Sequence, residues 1–232
     1  MEEILQAGFE ELGVPASPEA IANLRRYYEL LCERNKVMNL TAISGEADVA
    51  RLHFLDCAAL LRYYDLAGLK AADVGSGAGF PGLVLKILCP DMDLTLIDAQ
   101  RKRVDFQQEV VSELGLTGVQ CVHGRAEDMH DLRGTFDFVL SRAVASLAVL
   151  NELCMPMVKV GGRFSAMKGP DPSLEMQESK RACYVLGGRH VRVEKYTIPG
   201  TDVTHSLIFV RKEQPSPSQY PRRYASIKKK PL

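Results

Sequence analysis

Three alternating glycines stand in Ala72-Asp73-Val74-Gly75-Ser76-Gly77-Ala78-Gly79-Phe80-Pro81-Gly82, followed by the apolar run Leu83 to Leu88. A strand, a glycine loop and a helix in this order let backbone pass close to a ligand, because glycine has no Cβ in the way. The first amides of the helix face the same space, and Pro81 suits its first turn. The ligand this arrangement suits is a nucleoside-bearing cofactor. Two remain open at the loop itself. Gly75, Gly77 and Gly79 fit the spacing used for S-adenosylmethionine, and Gly77, Gly79 and Gly82 fit that used for dinucleotides.

Further polar residues cluster where strands should end. Leu94-Thr95-Leu96-Ile97-Asp98 places an acid where ribose hydroxyls are held; a helix cap is the other reading of Asp98. His123-Gly124-Arg125-Ala126-Glu127-Asp128 follows the next strand, and with S-adenosylmethionine Ala126 and Glu127 would border the adenine. The fourth strand ends Ser141-Arg142-Ala143-Val144-Ala145, where a methyl acceptor would sit. It has no Asn/Asp-Pro-Pro-Tyr, which speaks against methylation of an exocyclic amine, and no Pro-Cys, so Cys154 is a poor nucleophile candidate. Arg142 is assigned to positioning the cofactor, with a surface ion pair as the alternative. Asn39, His53, Ser141 and Arg142 are the candidates near the acceptor. His53 and Asp56, three apart, share one helix face, where they could close the pocket or simply pair.

The elements that must position these residues change character along the chain. Residues 1–66 read as helices: Ile4, Leu5, Phe9 and Leu12 recur at helical spacing up to Gly13, Ser17-Pro18 starts a second helix, and a third spans Glu46 to Tyr64. Residues 67–212 alternate strand and helix, with strands at Ala71–Val74, Leu94–Ile97, Val119–Val122, Phe136–Ser141 and Arg163–Met167. Helices are expected at Pro81–Leu88, Arg101–Leu114, Ser146–Val158 and Ser173–Leu186. Five strands separated by helices imply a doubly wound parallel α/β sheet. The last two strands, Arg189–Tyr196 and Ser206–Arg211, have no helix between them and should form a hairpin, the last strand antiparallel. A Rossmann-like S-adenosylmethionine (class I) methyltransferase domain of seven strands ends this way. A dinucleotide domain would continue with a crossover helix.

Composition narrows the functional classes. The chain has 232 residues, 46% hydrophobic and 25% charged, enough for one sizeable core. No apolar run is long enough for a membrane span, and the acidic start Met1-Glu2-Glu3 is unlike a signal peptide. Six scattered cysteines without Cys-x-x-Cys suit a reducing cytoplasm and argue against a metal site. Lys plus Arg equal Asp plus Glu at 29 each, yet Arg211 to Leu232 holds seven basic residues and one acid. Residues 213–232 are therefore a basic tail beyond a Pro/Ser-rich linker at Gln214 to Gln219. Arg222, Arg223, Lys228, Lys229 and Lys230 are candidates for nucleic-acid phosphates, with a solvated end as the alternative. Arg101, Lys102 and Arg103 could extend that track or form a solvated helix face. The tail is expected to serve RNA more than the cofactor.

Together these segments resemble the ribosomal small-subunit methyltransferase G family, also called glucose-inhibited division protein B. The matching stretches are Asn39-Leu40-Thr41-Ala42-Ile43, His53-Phe54-Leu55-Asp56, the glycine loop, Gly124 to Asp128, Ser141 to Ala145, Lys168-Gly169, and Tyr220-Pro221-Arg222-Arg223 with the closing Lys229-Lys230-Pro231-Leu232. They run collinearly over nearly the whole chain. The resemblance implies a bacterial cytoplasmic enzyme, with no membrane and no metal, that moves methyl from S-adenosylmethionine to guanine N7 of 16S rRNA in the small ribosomal subunit, acting as a monomer. It carries cofactor roles to Gly75, Phe80, Ala126, Glu127 and Arg142. The chain departs from the family at Ala225 and Ile227, where Gly and Pro are usual, and at Cys57, where Ser is common. An NAD-dependent dehydrogenase and a small-molecule methyltransferase are the competing readings; the final hairpin opposes the first and the basic tail the second.

Overall fold

In the computed structural model, which describes residues 1–142 and 145–232, the apolar runs become one seven-stranded sheet. The strands are β1 (Lys70–Val74), β2 (Asp93–Asp98), β3 (Val119–His123), β4 (Phe136–Arg142), β5 (Val158–Lys168), β6 (Gly188–Thr197) and β7 (Thr204–Lys212). Their order is β3-β2-β1-β4-β5-β7-β6. The first five are parallel, and β7 lies antiparallel to both β5 and β6. Chain direction therefore brings the ends of β1, β2, β3 and β4 to one edge, with the order reversing between β1 and β4. Ligands of such sheets bind there.

Alternation along the strands divides the core in two. Ala71, Leu94, Leu96, Phe138, Leu140 and Phe209 face one layer, and Ala72, Ile97, Val139, Phe164 and Val210 face the other. The first layer is made by α1 (Glu2–Leu12), α2 (Pro18–Met38), the segment from α3 (Glu46–Val49) to α4 (Asp56–Ala58), α5 (Gly82–Leu88) and α6 (Arg101–Glu113). Leu5, Phe9, Leu24, Tyr27 and Phe54 are fully buried in this layer, so the N-terminal helices share the core of the sheet. Gly13 closes α1 at φ 67°, and the Ser17 hydroxyl caps α2. Between α3 and α4 the turn widens to a π-helix over Ala50–Leu55, which carries His53. The single helix expected from Glu46 to Tyr64 is thus interrupted.

The second layer holds α7 (Leu147–Cys154), α8 (Ser173–Glu178), α9 (Lys180–Val185) and α10 (Tyr224–Lys229). Here too the boundaries differ from those read in the sequence. Pro156 has no N–H to continue α7, so Met155–Met157 tightens to a 3-10 turn and β5 starts at Val158. The Ser173–Leu186 helix divides at buried Ser179, whose hydroxyl donates to Met176 O at 3.2 Å. Between β3 and β4 there are only 3-10 turns at Ala126–Asp128 and His130–Leu132.

The segment 214–219, read as a linker, is held against the body. Arg133 donates to the carbonyls of Ser216 (2.6 Å), Pro217 (3.1 Å) and Tyr220. The buried Lys212 ammonium donates to Met155 O at 2.7 Å and Leu186 O at 3.0 Å, and to the Ser216 hydroxyl. Arg222 then meets the fully buried Glu152 through Nε at 2.7 Å, Nη2 at 2.6 Å and its backbone N–H at 2.9 Å. Beyond it, Ile227 is fully buried. Arg222→Ala would leave the Glu152 carboxylate without its counter-charge. The expected loss is about 3 kcal/mol of unfolding free energy in urea, partly regained by Arg222→Lys, which cannot make the two-pronged contact. An unchanged urea midpoint would contradict this anchoring.

Candidate functional site

The glycine loop is shaped by what surrounds it. Gly75, Gly77 and Gly79 adopt φ of 74°, 59° and 99°, the left-handed region that glycine tolerates. Gly75 N–H donates to Ile97 O at 2.8 Å and Gly77 N–H to Asp98 Oδ2 at 2.9 Å, tying the loop to the end of β2. Gln107 reaches back from α6 to the Ser76 hydroxyl and Gly77 O. The glycines do different work. A Cβ on Gly77 would enter open space, whereas one on Gly79 would strike Leu83 Cδ1 at 2.4 Å and the Tyr27 hydroxyl at 2.7 Å. On Gly82 it would lie 2.9 Å from Asp73 Oδ2, which accepts the Gly82 N–H. Gly79 and Gly82 are thus packing glycines; that role suits the third glycine of the dinucleotide spacing but not the second, Gly79, which would have to approach the ligand. Burial pushes the Asp73 carboxyl up to about 7, against the pull of Gly82 N–H and Arg142.

A cavity of about 450 Å³ opens over this loop. Its lining includes Gly75, Gly77, Phe80, Asp98, Ala126, Glu127 and Arg142, all expected from the sequence. Asp98 is buried beneath it, its oxygens accepting N–H groups of Gly77 and Gln100. A carboxylate has about four lone-pair sites. Arg103 Nη1, at 3.4 Å, takes a third, so Asp98 retains capacity for one ribose hydroxyl while it holds the loop. Open space at Gly77, a buried acid and the 3-10 turn at Ala126–Asp128 together fit an adenosyl group.

One wall of the cavity is a polar chain. Arg142 Nη1 donates to Asp56 Oδ2 at 2.9 Å and Leu52 O at 3.2 Å, and Nη2 donates to His53 Nδ1 at 2.8 Å. A guanidinium has only donors, so His53 Nδ1 accepts, and Nε2–H points to the Thr41 hydroxyl at 2.9 Å. Burial first, then the Arg142 charge, pushes His53 down to about 3, so the ring is neutral. Asp56 Oδ1 accepts from the Tyr196 hydroxyl at 2.7 Å and lies 2.8 Å from His205 Nδ1. Burial raises the Asp56 pKa, but the His205 hydrogen bond and the Arg142 charge outweigh it and hold the carboxyl below its ordinary value. Phe80 is sandwiched between Tyr27, at 5.3 Å, and the His53 ring, at 4.3 Å. His53 and Asp56, paired by spacing in the sequence, meet through Arg142.

Other candidates lie elsewhere. Asn39 is exposed and caps α2 at φ 49°; Thr41 is the residue of that motif which faces His53. The Ser141 hydroxyl is buried and donates to Val74 O at 2.8 Å, joining β4 to β1 away from the cavity. Ala143 and Val144 of the same stretch lie outside the described residues. Arg103 contacts Asp98 at 3.4 Å, Arg101 pairs with Asp105, and Lys102 donates to Met38 O. Arg222 is the Glu152 anchor, while Arg223, Lys228, Lys229 and Lys230 are exposed. Tyr224, which the sequence did not single out, lines the cofactor cavity. The tail thus contributes Tyr224 to the cavity lining, beside the larger service to RNA expected of it. Tyr196 and His205 were also missed; their partner Asp56 is 140 and 149 residues away.

Comparison with known proteins agrees with this geometry. Residues 20–204 match the family model described as rRNA small subunit methyltransferase G. A protein of Alkaliphilus metalliredigens, named Ribosomal RNA small subunit methyltransferase G, is 44% identical over 99% of this chain and 98% of its own length. A Geobacillus protein of the same name is 42% identical over 96% of this chain and 95% of its own. Among solved structures, a SAM dependent methyltransferase from Aquifex aeolicus superposes with a TM-score of 0.54 at 21% identity, covering 71% of this chain and 93% of that one. That last likeness concerns the fold.

Two outcomes follow from the geometry. Gly77→Val should abolish calorimetric S-adenosylmethionine binding and carry the backbone strain of φ 59° without a side-chain clash, whereas Gly82→Val should lower the melting temperature through its clash with Asp73 and Leu96. Intact binding by Gly77→Val would contradict the cradle. The His205–Asp56 contact also has a pH signature. The hydrogen bond to Asp56 raises the His205 pKa above the ordinary 6.5, so its stabilisation is complete below that value and is lost as pH rises through the raised one. Urea midpoints of wild type and His205→Gln should therefore converge above that range and separate below it; parallel profiles would contradict the contact.

Proposed function

This chain belongs to the rRNA small subunit methyltransferase G family, and we propose that its site methylates guanine N7 in 16S rRNA of the small ribosomal subunit. The carrying observation is the state of the wall between the cofactor cavity and the space beyond it. His53, Arg142 and Asp56 are bound to one another, and His53 is neutral with both ring nitrogens engaged. None of the three is free to act as a base or nucleophile at this wall. An acceptor that already carries a lone pair needs neither.

S-adenosylmethionine supplies a methyl activated on a sulfonium: the guanine N7 pair forms the new C–N bond, the S–C pair stays on sulfur, and no proton leaves. The protein's part is placement. Gly75 and Gly77 admit the nucleoside, Asp98 takes the ribose, and Ala126 and Glu127 border the base. Arg142 and His53, rigid against Phe80, limit where the acceptor can approach. Orientation of this kind contributes up to roughly 7–11 kcal/mol in favourable intramolecular models.

RNA recognition rests on the exposed basic residues of the tail. Arg223, Lys228, Lys229 and Lys230 lie on the segment that carries Tyr224 at the cofactor cavity, so phosphate contacts begin beside the site. Both walls of the cavity come from one chain, which supports action as a monomer, in the cytoplasm where its RNA is found. No helix of the described residues is long and apolar enough to cross a membrane.

Small subunits lacking the modification, incubated with the enzyme and methyl-labelled S-adenosylmethionine, should yield label in 7-methylguanosine from 16S rRNA. Labelled RNA without 7-methylguanosine would overturn the N7 assignment; unlabelled RNA with cofactor binding intact would overturn the substrate. Replacing Lys228, Lys229 and Lys230 by Ala should reduce the log–log salt slope of RNA binding by about 2–3, at about 0.7–0.9 per phosphate contact.

A further inference from the structure

A second cavity, of about 500 Å³, adjoins the first and shares His53 and Arg142 with it. Its size is within the roughly 300–1,000 Å³ range of small-molecule sites. Ile43, Leu52, Met167 and Val203 give it apolar sides, suited to the faces of a planar ring. Its polar groups are few. Lys168 Nζ is committed to Ala145 O at 2.6 Å and Glu175 at 2.7 Å. Asp56 is 1% exposed and already bound by Arg142, Tyr196 and His205. His205, 32% exposed, engages Asp56 through Nδ1 and has no protein partner at Nε2 among the described residues.

We propose that this second cavity seats the acceptor guanine and that His205 Nε2 reads the edge of the ring opposite N7. The inference rests on the function proposed above and names the reader of its substrate. The Asp56 carboxylate can only accept, so in neutral His205 the proton sits on Nδ1 and Nε2 carries a lone pair. His205 lies one carboxylate beyond Arg142, away from the wall shared with the cofactor cavity. With N7 at that wall, a guanine turns its N1–H and amino group, both donors, toward the far side. Adenine presents an N1 lone pair there. Neutral His205 therefore accepts from guanine and repels adenine, the type of polar mismatch that discriminates strongly in a buried site.

The charged and titratable groups around His205 are Asp56 on α4, Arg142 on β4, Lys168 on β5 and Tyr196 opposite it on β6. The Asp56 hydrogen bond raises its pKa, opposed by burial and by Arg142. Once protonated, His205 offers only donors and loses its match to guanine.

The test uses the full-length protein saturated with S-adenosylhomocysteine and nitrogen-15-labelled at histidine. Above its raised pKa the His205 imidazole should be the Nδ1–H tautomer, and guanosine monophosphate at millimolar concentration should then shift its Nε2 resonance. Adenosine monophosphate should not, and acidification should remove the guanine response. In parallel, His205→Ala should bind S-adenosylmethionine within twofold of wild type while kcat/KM on small subunits falls 10–100-fold, mainly through KM. His205→Gln, which keeps an acceptor, should regain part of that loss. Equal responses to the two nucleotides, no response, or unimpaired transfer by His205→Ala would overturn the inference. Failure of wild type to label the RNA would instead overturn the function on which it rests.

Discussion

A guanidinium buried at the end of β4 depends on its counter-charge, and in this protein Asp56 provides it. Desolvating an unpaired Arg142 or Asp56 would cost several kcal/mol, so each holds the other in place. The pair is bound at 2.9 Å, and Tyr196, His205 and His53 complete its hydrogen bonding. Asp56 comes from the helices that precede the sheet in the chain, and Arg142 from the middle of the sheet. Their contact therefore fixes the N-terminal helices relative to the edge where the strands end. Phe80 of the glycine loop is drawn into the same unit by stacking on His53 and by the guanidinium 5.3 Å from its ring centroid.

From that constraint comes the division of space. The cofactor cavity and the second cavity meet at His53 and Arg142, the two residues that line both. The wall presents hydrogen-bonded, charge-balanced groups rather than a free base. Such a wall suits a transfer in which both partners arrive already reactive and need alignment. The tail closes the other side of the cofactor cavity through Tyr224, secured by Arg222 on Glu152. The lysines proposed to meet RNA and the cavity residue Tyr224 therefore lie on one short segment.

Much of this was legible in the sequence, and the remainder was not for identifiable reasons. The glycine loop and the acid at Asp98 were readable because strand, turn and helix grammar is local. The antiparallel end of the sheet was readable from the absent crossover helix, and the order places β7 between β5 and β6 accordingly. Asn39 was an error of local detail: a left-handed helix cap turns it to solvent, and Thr41 makes the contact with His53 instead. Ser141 and Arg142 are neighbours, but a strand sends successive side chains to opposite faces, so only Arg142 reaches the cavities. Arg222 counted as a basic residue like its neighbours because Glu152 lies 70 residues earlier. His205 was invisible for the same reason: its partner is set by tertiary pairing, and a lone histidine beginning a strand carries no local signal.

The Arg142–Asp56 pair sets the junction at which the adenosyl site meets the acceptor site. A crystal structure of the protein with S-adenosylhomocysteine tests it most directly. The ribose should lie at Asp98, the adenine beside Ala126 and Glu127, and the sulfur beside His53 and Arg142, facing the second cavity. A ligand bound with its sulfur turned toward Tyr224, or an Arg142–Asp56 pair parted on binding, would contradict this arrangement.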